Sequence, residues 1–246
     1  MNYEKRVIPV LLLKDSELSK SVKFKKFKYV GDPINAVRIF NDKEVDELVV
    51  LDTDASKKHT KPNFNLLERI AREAFMPMAY GGGINNIDDV RKMIKLGYEK
   101  VIINSFALKN PNFIRDVSKI IGSQSTLVCI DIKKNLFGKY SIYDHSNGNL
   151  LKRNIKEYID MIIELGAGEI IIQSVDRDGT YEGYDLEMLE KFGVNLSIPL
   201  VSCGGAGSME DVKKVLDNNY ISAAAAGSIF IFHGPHRAVL INYYRI

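Results

Sequence analysis

Two kinds of hydrophobic pattern alternate along most of the chain. Short, nearly continuous apolar runs recur: VIPVLLL (7–13), ELVVLD (47–52), MPMAYGGG (76–83), KVIINS (100–105), TLVCIDI (126–132), EIIIQSVD (169–176), IPLVSCGG (198–205) and ISAAAAGS (221–228). Runs that lack polar alternation predict parallel strands covered on both faces. Between them lie stretches with apolar residues at helical spacing, among them NFNLLERIAREAF (63–75), IDDVRKMIKLG (87–97), NIKEYIDMIIELG (154–166) and SMEDVKKVLDNN (208–219). Several end at Gly or Asn, which tolerate the left-handed conformation that stops a helix. Eight strand–helix units in this order predict a single (β/α)8 barrel of the TIM type over residues 1–246, with an open doubly wound sheet as the alternative.

The two halves echo each other. MPMAYGGGI around Gly83 matches IPLVSCGGAG around Gly205, VVLDTDAS around Asp52 matches IIQSVDRDG around Asp176, and IINS ending at Ser105 matches AAGS ending at Ser228. The offsets are 122, 124 and 123 residues in a chain of 246. A fixed offset of half the chain predicts a duplicated half-barrel, each half four strand–helix units. Under that duplication the first strand, which carries Leu12, pairs with the strand that carries Asp131.

Composition narrows the class without naming a chemistry. With 46% hydrophobic and 26% charged residues the chain fits an ordinary globular protein. A net charge of +3, spread over 34 basic and 31 acidic residues, offers no footprint for nucleic acid or an anionic membrane. The one dense basic run, KSVKFKKFK from Lys20 to Lys28, reads as a solvated mobile loop or, second, as a loop for an anionic substrate. Cys129 and Cys203 both lie in apolar runs, which predicts buried reduced thiols and a cytoplasmic setting. No apolar run reaches the roughly 18–20 residues needed to cross a bilayer. Neither a metal ion nor an organic cofactor is expected.

Barrels of this kind place their active sites at the C-terminal ends of the strands. Those ends carry Asp52, Asp54, Gly83, Asn104, Ser105, Asp131, Asp176, Asp178, Gly205, Gly227 and Ser228. A glycine cluster after a strand is commonly just a tight turn, but its backbone N–H groups can also hold an anion. Two such clusters half a chain apart, each followed by an NS or GS turn, point to two phosphate sites and hence to a ligand phosphorylated at both ends. Asp131 would then stand at the ligand's middle as general acid or base, with helix capping as its plain structural alternative. Asp178, Lys20 and Asp15 are the remaining titratable groups nearby.

The strings GDPINAVRIFNDKEVDELVVLD (31–52), YGGGI, KVIIN, GSQSTLVCID, GAGEIIIQSVDRDGTYEGYD (166–185) and CGGAG together resemble the cyclase subunit of imidazole glycerol phosphate synthase, almost end to end. The resemblance implies a class I glutaminase partner docked on the N-terminal face. Ammonia would pass along the barrel axis to a phosphoribosyl-bearing substrate. Ring closure there forms imidazole glycerol phosphate and releases an aminoimidazole carboxamide ribotide. It further implies one phosphate site at Gly83, Asn104 and Ser105 and another at Asp178, Gly179, Gly205, Gly227 and Ser228. Asp131 matches one of two catalytic aspartates, Lys20 matches a lysine on a mobile loop that closes over substrate, and Asp178 stands close enough to assist. The other catalytic aspartate aligns with Leu12, and the departures continue at Ser16 and Ser21, where the family has glycines, and at Gln173, where it has a small hydroxyl residue. Arg6, Glu47, Lys100 and Glu169 match the family's salt-bridged ammonia gate; without the resemblance they would read as a stabilising ring. A kept gate beside a lost acid suggests a paralogue that delivers ammonia elsewhere, in one version with a third, amidating enzyme acting on a sugar of a surface polysaccharide. An authentic histidine-pathway cyclase and a silent activator of the glutaminase are the alternatives.

Overall fold

The computed structural model describes residues 5–244. Eight parallel strands run in sequence order around a closed barrel: β1 (Arg6–Lys14), β2 (Leu48–Asp52), β3 (Met78–Gly81), β4 (Lys100–Ile103), β5 (Thr126–Lys134), β6 (Glu169–Ser174), β7 (Leu200–Cys203) and β8 (Ala223–Ala226). Closure comes from β1 pairing with β8, Arg6 opposite Ala223. The open-sheet alternative is thereby excluded.

Continuous apolar runs are required here because both faces of each strand are covered. Along β1, Ile8 and Val10 point into the barrel with Val49, Ile102, Leu127, Ile171 and Val201. Val7, Leu11 and Leu13 belong to the larger shell between the strands and the surrounding helices. On β8 both sets are alanines, Ala223 and Ala225 inward, Ala224 and Ala226 outward.

The helices fall where periodicity placed them, at Phe64–Glu73, Ile87–Lys95, Ile155–Glu164 and Met209–Leu216. Each starts at a polar cap whose side chain accepts a backbone N–H, as Asn86 does from Asp89. Among the described residues no helix is long and apolar enough to cross a membrane.

The basic run after β1 is not a loop. Glu17–Val22 and Lys25–Gly31 form an antiparallel hairpin, here called the arm, that extends β1 over the barrel mouth. Its two-residue turn, Lys23–Phe24, has positive φ at both positions, 53° and 59°. Such a turn normally takes Asn-Gly, because other side chains are strained there. Asp178 offsets that strain: its carbonyl accepts from Lys23 N at 2.9 Å and its Oδ2 from Phe24 N at 3.3 Å. A second excursion, Tyr140–Asp144 paired with Asn149–Leu151, rises from β5 on the same face.

Candidate functional site

The strand ends enclose one chamber. It is lined by Gly83, Asn104 and Ser105 on one side and by Asp178, Gly179, Gly205, Gly227 and Ser228 on another, with Asp131, Lys20 and Leu12 between. The half-barrel echo is geometric as well. Gly83 and Gly205 both have positive φ, 69° and 111°, and the caps that follow, Asn86 and Ser208, share an extended conformation. Asn104 and Gly227 each precede a short helix, Ser105–Lys109 and Ser228–Ile231. The glycines are fixed by their neighbours as much as by any ligand. A Cβ at Gly83 would stand 2.6 Å from the Thr60 carbonyl, and one at Gly205 would run into the Gly183 carbonyl. Among the described residues, the N–H groups of Gly83, Ser105, Gly205 and Ser228 have no acceptor, which leaves them free for an anion.

Asp131 lies within β5 and caps no helix. It is 4% exposed; its Oδ2 accepts from Asn104 Nδ2 at 2.9 Å. Burial pushes its carboxyl up to about 7, with the Asn104 bond opposing. Because this pKa is raised above that of the unfolded chain, the stability it favours is complete below about pH 4 and is lost as pH rises through 7. Asp131→Asn should therefore gain stability relative to the native chain as pH rises from 4.5 to 8, by up to about 3 kcal/mol. Denaturant midpoints at the two pH values measure this; a difference that does not change with pH would contradict the shift.

Lys20, expected on a mobile loop, is buried at 5% exposure within the arm. Its Nζ donates to the Val10 carbonyl at 2.5 Å, and a Cβ at Gly227 would collide with it. Burial lowers the amine to about 8, with the charge of Asp178 opposing. Leu12 reaches the same chamber but offers only carbon. It packs with the barrel-interior side chains, as Leu51 does.

The other acidic candidates have structural partners. Asp178 Oδ2 accepts from Ser21 Oγ at 2.8 Å and so holds the arm down. That bond gives Ser21, where the resemblance expects glycine, a role. Asp52 Oδ1 accepts from Asp54 N and Ala55 N, both at 3.0 Å, and starts a short helix. Asp54 pairs with Lys14 and Lys58, as does Asp15. Asp176 Oδ2 accepts from Lys134 N at 2.7 Å. Among the described residues no three His, Cys, Asp or Glu side chains converge as a metal would require. Cys129 and Cys203 are free and buried in the barrel, and burial pushes the Cys203 thiol up to about 12.

At the opposite, N-terminal end the four remaining residues close a ring. Glu47 accepts from Arg6 at 2.6 Å and from Lys100 at 2.9 Å; Glu169 accepts from Lys100 at 3.1 Å and is bonded by Arg6 as well. Burial works against the Arg6 charge, but Glu169 and Glu47 outweigh it and hold the guanidinium above its usual range. Ring and chamber thus cap the two ends of one apolar barrel interior.

Several chamber residues escaped the sequence reading of the site. Phe24, at the arm's turn, packs edge-on to His145 with centroids 5.2 Å apart, and both line the chamber with Phe27. His145 sits in the turn of the second excursion, a lone histidine in a Ser-Asn-Gly setting that gives no hint of the chamber. Gln173, noted only as a departure, is 7% exposed and lies in register between Asp131 and Cys203.

Residues 6–236 match the family described as histidine biosynthesis protein. A Pseudomonas aeruginosa protein, provisionally named imidazole glycerol phosphate synthase subunit, is 48% identical over 97% of this chain and 95% of its own length. One from Leptospira borgpetersenii, with the same provisional name, is 46% identical over 97% of this chain and 94% of its own. An Alkaliphilus metalliredigens protein that carries the subunit name without qualification is 36% identical over 93% of this chain and 91% of its own.

Proposed function

The chain belongs to the histidine biosynthesis protein family, and from that premise we propose that it is an ammonia-conducting barrel that has moved away from imidazole ring closure. A glutaminase of class I docks at the N-terminal face, over the ring of Arg6, Glu47, Lys100 and Glu169. Ammonia crosses the apolar interior and leaves at the chamber. There it serves a third, amidating enzyme that converts a sugar destined for surface polysaccharide, and the complex works in the cytoplasm. The observation that carries this reading is the contrast between the two ends: four of four ring residues are present and mutually paired, while Leu12 puts carbon where one of two cooperating acids is expected.

In this arrangement Asp131, held near neutrality, remains able to accept or donate one proton. It has no counterpart across the chamber at Leu12. The second reading, an authentic cyclase, draws its support from that same carboxyl, together with the free N–H groups at both glycine turns. Feeding amide-labelled ¹⁵N-glutamine to the chain with its glutaminase and the phosphoribosyl-bearing substrate separates the two. Label should leave as free ammonia, or in an amidinated sugar when the amidating enzyme is added. Label in imidazole glycerol phosphate at a rate matching glutamine consumption would sink the proposal.

A further inference from the structure

The arm crosses the chamber mouth with little to hold it from β1 alone. Its inner strand pairs with β1 from Glu17 to Ser19, and beyond that point the two arm strands pair only with each other. The outer strand, Lys25–Gly31, has no further neighbour in the sheet and faces solvent along most of its length. What fixes the projecting end is one residue in the loop after β6, across the barrel. Asp178 accepts from Lys23 N through its main-chain carbonyl, and from Ser21 Oγ and Phe24 N through a single carboxylate oxygen, Oδ2. Next to it Gly179 has φ 65°, and a Cβ there would run into the Ser21 carbonyl, so the arm is seated directly on this loop. Ring contacts add less directional support. Phe24 rests on Tyr143 and on His145, itself bonded to the Thr53 carbonyl at 2.9 Å, and the Lys28 ammonium lies over the Phe232 ring.

Ser21 is the side chain on which this hold turns. Among the described residues it is the one arm side chain that hydrogen-bonds Asp178, and it is 4% exposed. Lys23 and Phe24 sit at positive φ, a strained conformation that the Asp178 bonds offset, so a weakened hold favours release. Beneath the arm lie Lys20, its amine placed between the Val10 carbonyl and Gly227, and the two chamber cysteines. We propose that Ser21 is a positioning residue: through Asp178 it keeps the arm strapped across the mouth, so that a molecule much larger than ammonia reaches the chamber only when this latch lets go. The inference goes beyond the ammonia reading and stands without it, because the contacts that fasten the arm involve neither the N-terminal ring nor the glycine-turn N–H groups.

The test uses the full chain and two readouts. One is amide hydrogen exchange; the other is the reaction of Cys129 and Cys203 with dithionitrobenzoate, a bulky aromatic disulfide that releases a coloured thiolate as each thiol is modified. Losing one buried hydrogen bond is worth about a factor of ten. Ser21→Ala should therefore speed exchange at the Lys23 and Phe24 amides about tenfold and speed thiol modification by a similar factor, while barrel amides such as those of Ile130 and Ile171 stay as they are. Ser21→Thr, which keeps the hydroxyl, should return both readouts toward the native values. Faster arm amides with thiol modification unmoved would show that the arm does not govern access to the chamber. Unmoved arm amides would show that Asp178 holds the arm without Ser21. Barrel amides that speed up in step with the arm would show general loosening in place of a latch. Each of these three results overturns the inference.

Discussion

Lys100→Ala should destabilise the protein by about 3–5 kcal/mol, the range expected when one partner of a buried charge network is removed. Glu47 and Glu169 are almost fully buried, and Lys100 bridges them from one side as Arg6 does from the other. Without Lys100 two carboxylates share a single guanidinium and face an unfilled space. Lys100→Met, which fills that space but restores no charge, should recover only a minor part of the loss. Denaturant unfolding gives the stability. Function must be read separately, in the complex with its glutaminase. If the ring gates ammonia, glutamine-fed product formation changes while the reaction fed by ammonium salt stays nearly constant. If both fall in proportion to the folded fraction, the ring is structural only.

Leu12→Asp should raise ammonium-fed ring closure by about two to four orders of magnitude, the usual contribution of a positioned proton-transfer group. The substituted side chain would sit at the chamber wall, in the place where the resemblance calls for an acid, with Asp131 in the same chamber. The gain should carry a cost. Asp131 already titrates near 7 because it is buried, and a second carboxylate nearby would push both further up. The variant should therefore be less stable than the native chain at pH 8, and less so at pH 5, where both carboxyls can hold protons. No gain in turnover would mean that the chamber has drifted at other positions too. Ser21, now bonded to Asp178, and Gln173, lying between Asp131 and Cys203, are the first to examine.

The barrel was legible because parallel strands buried on both faces leave uninterrupted apolar runs, and β1 to β8 all fall on the runs picked out for them. The chamber residues were legible because strand ends set their location and because the second half of the chain repeats the first. The arm was not. Its turn uses Lys23 and Phe24 at positive φ, where sequence patterns expect Asn-Gly, and the turn is held by Asp178 from the far side of the barrel. No local pattern encodes that support. Both faces of the arm's first strand are buried between Leu18 and Ser21, and three of those four positions are Ser19, Lys20 and Ser21, so no alternating pattern marked it as a strand either. His145 was missed for a related reason: what matters about it is the Thr53 carbonyl, 92 positions away in the chain.

The most direct test of the central claim is the turnover of the unaltered, purified chain with the phosphoribosyl-bearing substrate and saturating ammonium salt, which bypasses any glutaminase. With carbon at Leu12 and one proton-transfer carboxyl at Asp131, turnover should lie orders of magnitude below 1 per second. A rate of about 1 per second or more, ordinary for an enzyme, would show that ring closure survives and would contradict the account.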